Sequence, residues 1–130
     1  MINFIFSTIL FTIPFFGDPP EIIIPYQNNN QLILIFSENN RSHEYEQALL
    51  ELSRDPLGLD QRDLIIFEIF TTGGIYPDGS ALSEADAEIL RNYFKIETSA
   101  FTIVIINKQL EEIFRSSHPV SVKDLFKTID

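Results

Sequence analysis

Three stretches of this chain are apolar at nearly every position, and they limit what it can fold into. They are Leu32-Ile33-Leu34-Ile35-Phe36, Leu64-Ile65-Ile66-Phe67-Glu68-Ile69-Phe70 and Phe101-Thr102-Ile103-Val104-Ile105-Ile106. Each is rich in β-branched and aromatic residues, and each is too short for a typical helix. Side chains of a strand alternate between its two faces, so a strand apolar at successive positions must be covered above and below. The runs therefore predict central strands of a sheet held between helices. At 130 residues the chain has room for one such domain.

Between the runs, the spacing changes to that of helices. Tyr45, Ala48, Leu49 and Leu52 fall at i, i+3, i+4 and i+7 behind a capping Ser42, and Pro56 with Gly58 is expected to end that helix. Ser83 with Asp86 opens a second helix whose buried stripe reads Ile89, Leu90, Tyr93 and Phe94. Ser121 with Asp124 opens a third, with Val122, Leu125, Phe126 and Ile129 on one face. Thr71 to Gly79 reads as a loop with two turn signals. After a turn at Asn107-Lys108-Gln109, Leu110 to Arg115 returns as an antiparallel strand. Upstream, Asp18 to Gln31 reads as a connector rich in Pro and Asn, in which Glu21 to Ile24 is placed as a short edge strand. The order is β-α-β-α-β-β-α, an α/β architecture with a mixed four-stranded sheet. The first two strands are parallel with a right-handed crossover, and helices lie on both faces. That layering is thioredoxin-like.

Composition then removes classes of function. Nineteen acids against nine bases give a net charge of −10, which opposes binding to a phosphate backbone, so no nucleic-acid partner is expected. Cysteine is absent altogether, which removes disulfides, thiolate metal sites and thiol redox chemistry from this chain. The two histidines, His43 and His118, are far apart and no calcium-loop pattern occurs, so neither metal nor cofactor is expected.

No charged side chain occurs from Met1 to Gly17, although the rest of the chain carries nineteen acidic and nine basic ones. The apolar part, Phe4 to Phe16, falls short of the roughly 20 residues a spanning helix needs. Its pattern of apolar core, Pro14 and then Gly17 reads as a secretory leader over residues 1–17. Behind it come a connector over 18–30 and a domain over 31–130, without a stable membrane span in the mature chain. Export to the periplasm or cell envelope is the expectation. The alternative is an apolar strand or helix of the domain itself, in a protein that stays in the cytoplasm.

Several pieces in order carry a family resemblance: Gln31 to Phe36, Tyr45-Glu46-Gln47, Leu59-Asp60-Gln61-Arg62-Asp63-Leu64, Gly73-Gly74 with Asp78-Gly79, Leu90-Arg91-Asn92-Tyr93, Phe101 to Ile106, Lys108, Arg115, and Leu125-Phe126 before Ile129-Asp130. In these the chain resembles the bacterial thioredoxin-like domain of unknown function that also occurs in sushi-repeat-containing matrix proteins of animals. The resemblance implies an exported thioredoxin-like domain. Peroxiredoxin-like activity has been suspected of the family by fold analogy, which is a weak warrant. Where the family usually has Gly-Lys-Asp-Gly, this chain has Asn107-Lys108-Gln109-Leu110.

A thioredoxin-type enzyme needs its thiolate after the first strand, where this chain reads Ser37-Glu38-Asn39-Asn40-Arg41-Ser42-His43. Serine cannot cycle through a disulfide, so thiol oxidoreductase and peroxiredoxin activities are excluded. Open α/β sheets bind ligands at the carboxyl ends of their strands, which makes Ser37, Arg41 and His43 candidate ligand-facing residues. Arg62 is a further candidate, either for an anion or for pairing with Asp60 or Asp63. Gly73 and Gly74 are candidates for an amide cradle, although the lysine of a phosphate loop is missing. The reading is a non-enzymatic binding or structural module whose partner is a protein or a small ligand. The alternative is a cysteine-independent enzyme acting through Arg41, His43 and Glu44.

Overall fold

The computed structural model describes residues 17–130. The leader expected over 1–17 thus falls, but for Gly17, outside the described residues. The strand β1 (Gln31–Phe36) lies at the middle of one sheet. It pairs in parallel with β2 (Leu64–Phe70), from Gln31 opposite Leu64 to Phe36 opposite Ile69. On its other side it pairs antiparallel with β5 (Thr102–Ile106), from Leu32 opposite Ile106 to Phe36 opposite Thr102. Residues Leu32 to Phe36 and Thr102 to Ile106 are all buried, as strands apolar on both faces require.

The two faces are covered as their alternation dictates. Ile33, Ile35, Ile103 and Ile105 point to α1 (His43–Leu52) and α4 (Val122–Ile129), which bury Tyr45, Ala48, Leu52, Val122, Leu125 and Phe126. Leu32, Leu34, Phe36, Val104 and Ile106 point the other way, to α3 (Glu84–Phe94) with Ala87, Leu90 and Phe94. Each fully buried Leu, Ile or Phe contributes roughly 1.5–3 kcal/mol, so this double packing dominates the stability. Ser42, Ser83 and Ser121 each accept the backbone N–H three residues on, as expected of caps.

Among the described residues the sheet has six strands where the sequence predicts four. Beyond β2 lie β3 (Gly73–Ile75) and β4 (Ala81–Leu82), and beyond β5 lies β6 (Glu112–Ser116), giving the order β4-β3-β2-β1-β5-β6. Two- and three-residue strands carry no periodicity, which is why this hairpin reads as a loop in the sequence. Pro56 does not simply end α1. It occupies the first turn of a short helix α2 (Pro56–Gln61), capped by Asp55 onto the Gly58 amide. Glu21 to Ile24 is not an edge strand either. It winds into a turn and a 3-10 helix (Ile24–Tyr26) that places Ile23 in the core and Tyr26 edge-on to Phe67. Ile89, expected inside, is 47% exposed, and Ala87 takes its place in the stripe.

The β5–β6 hairpin has an unusual turn. Asn107 Oδ1 accepts from the amides of Gln109 and Glu111, and Leu110 takes a left-handed backbone at φ 65° where glycine would be easier. Leu110 is buried, so its side chain offsets the strain. Next comes a bulge: Ile106 pairs with Glu112 and Ile105 with Phe114, leaving Ile113 turned out between them. The broken alternation at Ile113-Phe114 has this cause.

Candidate functional site

The parallel pair β1–β2 puts Ser37 and Phe70 at one end of the sheet, and the antiparallel β5 begins there at Thr102. This is the carboxyl end of the central strands. The loop from Ser37 to Ser42 crosses it and is fastened at several points. The Ser37 amide donates to the Ile69 carbonyl at 3.0 Å. The Ser37 hydroxyl lies 2.8 Å from Ser42 Oγ and donates to the Asn39 carbonyl. The Glu38 carbonyl accepts from both the amide and the hydroxyl of Thr71. Ser37 is therefore a buried strut of the loop rather than a ligand-facing group.

An open groove of about 380 Å³ lies beside this loop, lined by Glu38, Asn39, Asn40, Arg41, Phe70, Thr71 and Thr72. Arg41 is the expected residue that does line it. Of the five arginines, Arg54 and Arg115 pair with glutamates, Arg62 pairs with Asp130, and Arg91 donates to the Phe70 carbonyl. Arg41 alone has a guanidinium without a partner among the described residues. His43 is the first residue of α1 and is exposed, as is Glu44. No hydrogen bond or ion pair joins Arg41, His43 and Glu44 among the described residues.

Beneath the loop, the Tyr45 hydroxyl donates to the Glu68 carboxylate, and the Tyr45 ring packs edge-on against Phe70 at 5.2 Å. Burial, then the Glu68 hydrogen bond and charge, push the phenol well above its ordinary value. Tyr45 remains a neutral donor that ties the first turn of α1 to β2.

Gly73 and Gly74 belong to the hairpin and make no cradle. Gly73 has φ 140°, and a Cβ there would lie 2.7 Å from the Leu82 carbonyl oxygen. At Gly74 a Cβ would lie 2.1 Å from the Glu68 carbonyl oxygen. Both positions need glycine because backbone approaches so closely.

Arg62 sits at the opposite end of the sheet. It donates to both Asp130 oxygens, at 3.0 and 2.7 Å, and to the Gly58 carbonyl, while its guanidinium lies 3.8 Å above the centre of the Phe126 ring. Its partner is thus neither Asp60 nor Asp63. Asp63 instead pairs with Lys108 at 2.7 Å. Arg62 and Lys108 are both paired.

One group at the open end carries no obvious mark in the sequence. Thr102 is 8% exposed, and its hydroxyl has no hydrogen-bond partner among the described residues. It lines a second pocket of about 370 Å³ with Lys95, Ile96, Glu97, Ala100, Arg115, Ser116 and Ser117. The one available signal is that it is the lone hydroxyl within the run Phe101 to Ile106.

A mixed sheet with this strand order, with α1, α2 and α4 on one face and α3 on the other, defines a thioredoxin-like α/β domain. Solved peroxiredoxins share it. A reduced 2-Cys peroxiredoxin of Plasmodium vivax aligns at 14% identity and TM-score 0.60, covering 82% of this chain and 78% of that one. Plasmodium yoelii Prx1a aligns at 15% identity and TM-score 0.60, covering 82% and 75%. Plasmodium yoelii thioredoxin peroxidase I aligns at 16% identity and TM-score 0.60, covering 82% and 74%. Identities this low carry the fold alone. The chain belongs to the family described as Domain of unknown function (DUF4174), whose model matches residues 24–130. No curated protein matches the sequence. Among the described residues, no helix is long and apolar enough to cross a membrane.

Proposed function

We propose that this chain is an exported thioredoxin-like binding module without thiol chemistry, which holds an acidic group of a protein or small-ligand partner in the groove beside Arg41. The carrying observation is that Arg41 alone among the arginines keeps all its side-chain donors unengaged among the described residues, and does so at the carboxyl end of the central strands. A free guanidinium at such a place recognises carboxylate or phosphate oxygens in pairs. The absence of cysteine supports binding over redox turnover. Export is supported by the uncharged Met1 to Gly17. The resemblance to domains of extracellular matrix proteins points the same way.

The test is retention of envelope components on the immobilised full chain, with Arg41→Ala run beside it. The expected result is a component held by the wild type and lost from the variant at unchanged Tm. Retention that ignores Arg41 would remove the groove from the account. The purified chain is expected neither to reduce insulin nor to consume peroxide. N-terminal sequencing of protein from envelope fractions is expected to show removal of the first seventeen or so residues, and an intact Met1 in the cytosol would overturn export.

A further inference from the structure

We infer that the pocket floored by Thr102 is a second site, distinct from the Arg41 groove, and that it takes a small organic carboxylate. The pocket lies where α3 ends and β5 begins, on the α3 side of the sheet. Thr102 faces this side because it alternates with Ile103, and its pairing partner Phe36 belongs to the same cluster. Thr102 is more than nine-tenths buried, and a buried hydroxyl without a partner among the described residues is costly. Ser37, the other buried polar residue, satisfies its hydroxyl twice over. Thr102 stands out against that background, and it lines an open surface pocket of about 370 Å³.

The lining sets the class of ligand. Thr102 and Ser117 offer hydroxyl donors, and Ser117 makes no side-chain hydrogen bond among the described residues. Arg115 is held in place by Glu112 and the Phe94 carbonyl through Nε and Nη2, which leaves Nη1 unengaged. Lys95 and Glu97 lie on the rim with opposite charges, and Glu112 balances Arg115. Ile96 and Ala100 supply an apolar wall. Hydroxyl and guanidinium donors beside an apolar wall suit a carboxylate on a short carbon chain. An Arg fixed by its own carbonyl and carboxylate contacts binds with little loss of freedom.

The experiment is a titration of the full chain with propionate, monitored by amide NMR. Saturable shifts are expected at Ile96, Thr102, Ser116 and Ser117. Thr102→Val keeps the branched shape and removes the hydroxyl; it should weaken propionate about tenfold without lowering Tm. Ser117→Ala should weaken it as well, and it decides the matter if the Val variant does not fold. Absence of saturable shifts, or affinities unchanged in both variants, overturns the site. Shifts centred on Arg41 and Thr72 would overturn it too, while supporting the groove. Loss of the Arg41-dependent partner with propionate binding intact would leave this pocket standing alone.

Discussion

The two ends of the sheet are built from similar residue types and do opposite things with them. At the end where β1 and β2 begin, two cations have fixed anions: Arg62 with Asp130, and Lys108 with Asp63. Arg62 also covers Phe126 and satisfies the Gly58 carbonyl, so it joins α2 to α4 just ahead of β2. At the end where those strands finish, Arg41 and the Thr102 hydroxyl are unengaged among the described residues and each lines a pocket, whereas the pocket at the first end is lined by the paired Arg62, Asp63 and Lys108. Ion pairs occur at both ends, Arg115 with Glu112 among them. What sets the second end apart is Arg41 and Thr102, whose side chains are unengaged among the described residues. A charged residue's neighbours in sequence do not distinguish the two cases.

The sharpest way to break the comparison is through the frame of the open end. Gly74→Ala should cost roughly 3 kcal/mol or more in chemical denaturation, because its Cβ would meet the Glu68 carbonyl. An anion cradle would instead tolerate alanine and lose only ligand. Tyr45→Phe should cost about 1 kcal/mol through the lost bond to Glu68, measured in the same way. At the closed end, Arg62→Ala should lower Tm by a few degrees, mostly from the uncovered Phe126 and unpaired Gly58 carbonyl.

The Arg62 variant should also change the response to acid. The Arg62 hydrogen bond and charge hold the Asp130 carboxyl below its ordinary 3.8. A depressed carboxyl contributes stability that is present in full above that ordinary value and is lost as pH falls through the depressed one. A plot of Tm against pH should therefore fall less steeply below about pH 4 in Arg62→Ala than in the wild type. The smallest effect on stability is expected at Arg41→Ala, within about 0.5 kcal/mol of the wild type, since nothing in the fold leans on it. If Arg41 proves as costly to remove as Arg62, the division between the ends fails.

Much of this architecture is legible in the sequence because a few signals are local. Runs apolar on both faces name β1, β2 and β5, and Ser42, Ser83 and Ser121 mark helix starts through short-range capping. What escapes depends on distance along the chain or on elements too short to repeat. The β3–β4 hairpin offers so few strand residues, Gly73–Ile75 and Ala81–Leu82, that glycine and turn signals dominate the reading. Pro56 reads as a stop because proline at the first turn and proline after a helix look the same in isolation. Of the candidate site residues, Arg41 is legible as a loop cation. The partner of Arg62 lies 68 positions away, so its neighbours Asp60 and Asp63 are all the sequence offers to weigh. Thr102 stays hidden because one hydroxyl does not disturb the strand pattern around it.

The sheet's outer rims carry a further lesson. A chain whose middle strands are this rich in isoleucine and phenylalanine has every reason to stack against its copies, and open rims are where such polymerisation begins. Among the described residues one rim is Ala81–Leu82, too short to template a neighbour. The other is kinked by the bulge at Ile113 and studded with the Glu112–Arg115 pair. These two borders act as guards against fibril growth, and straightening the second, by deleting Ile113, is where amyloid would be expected to start.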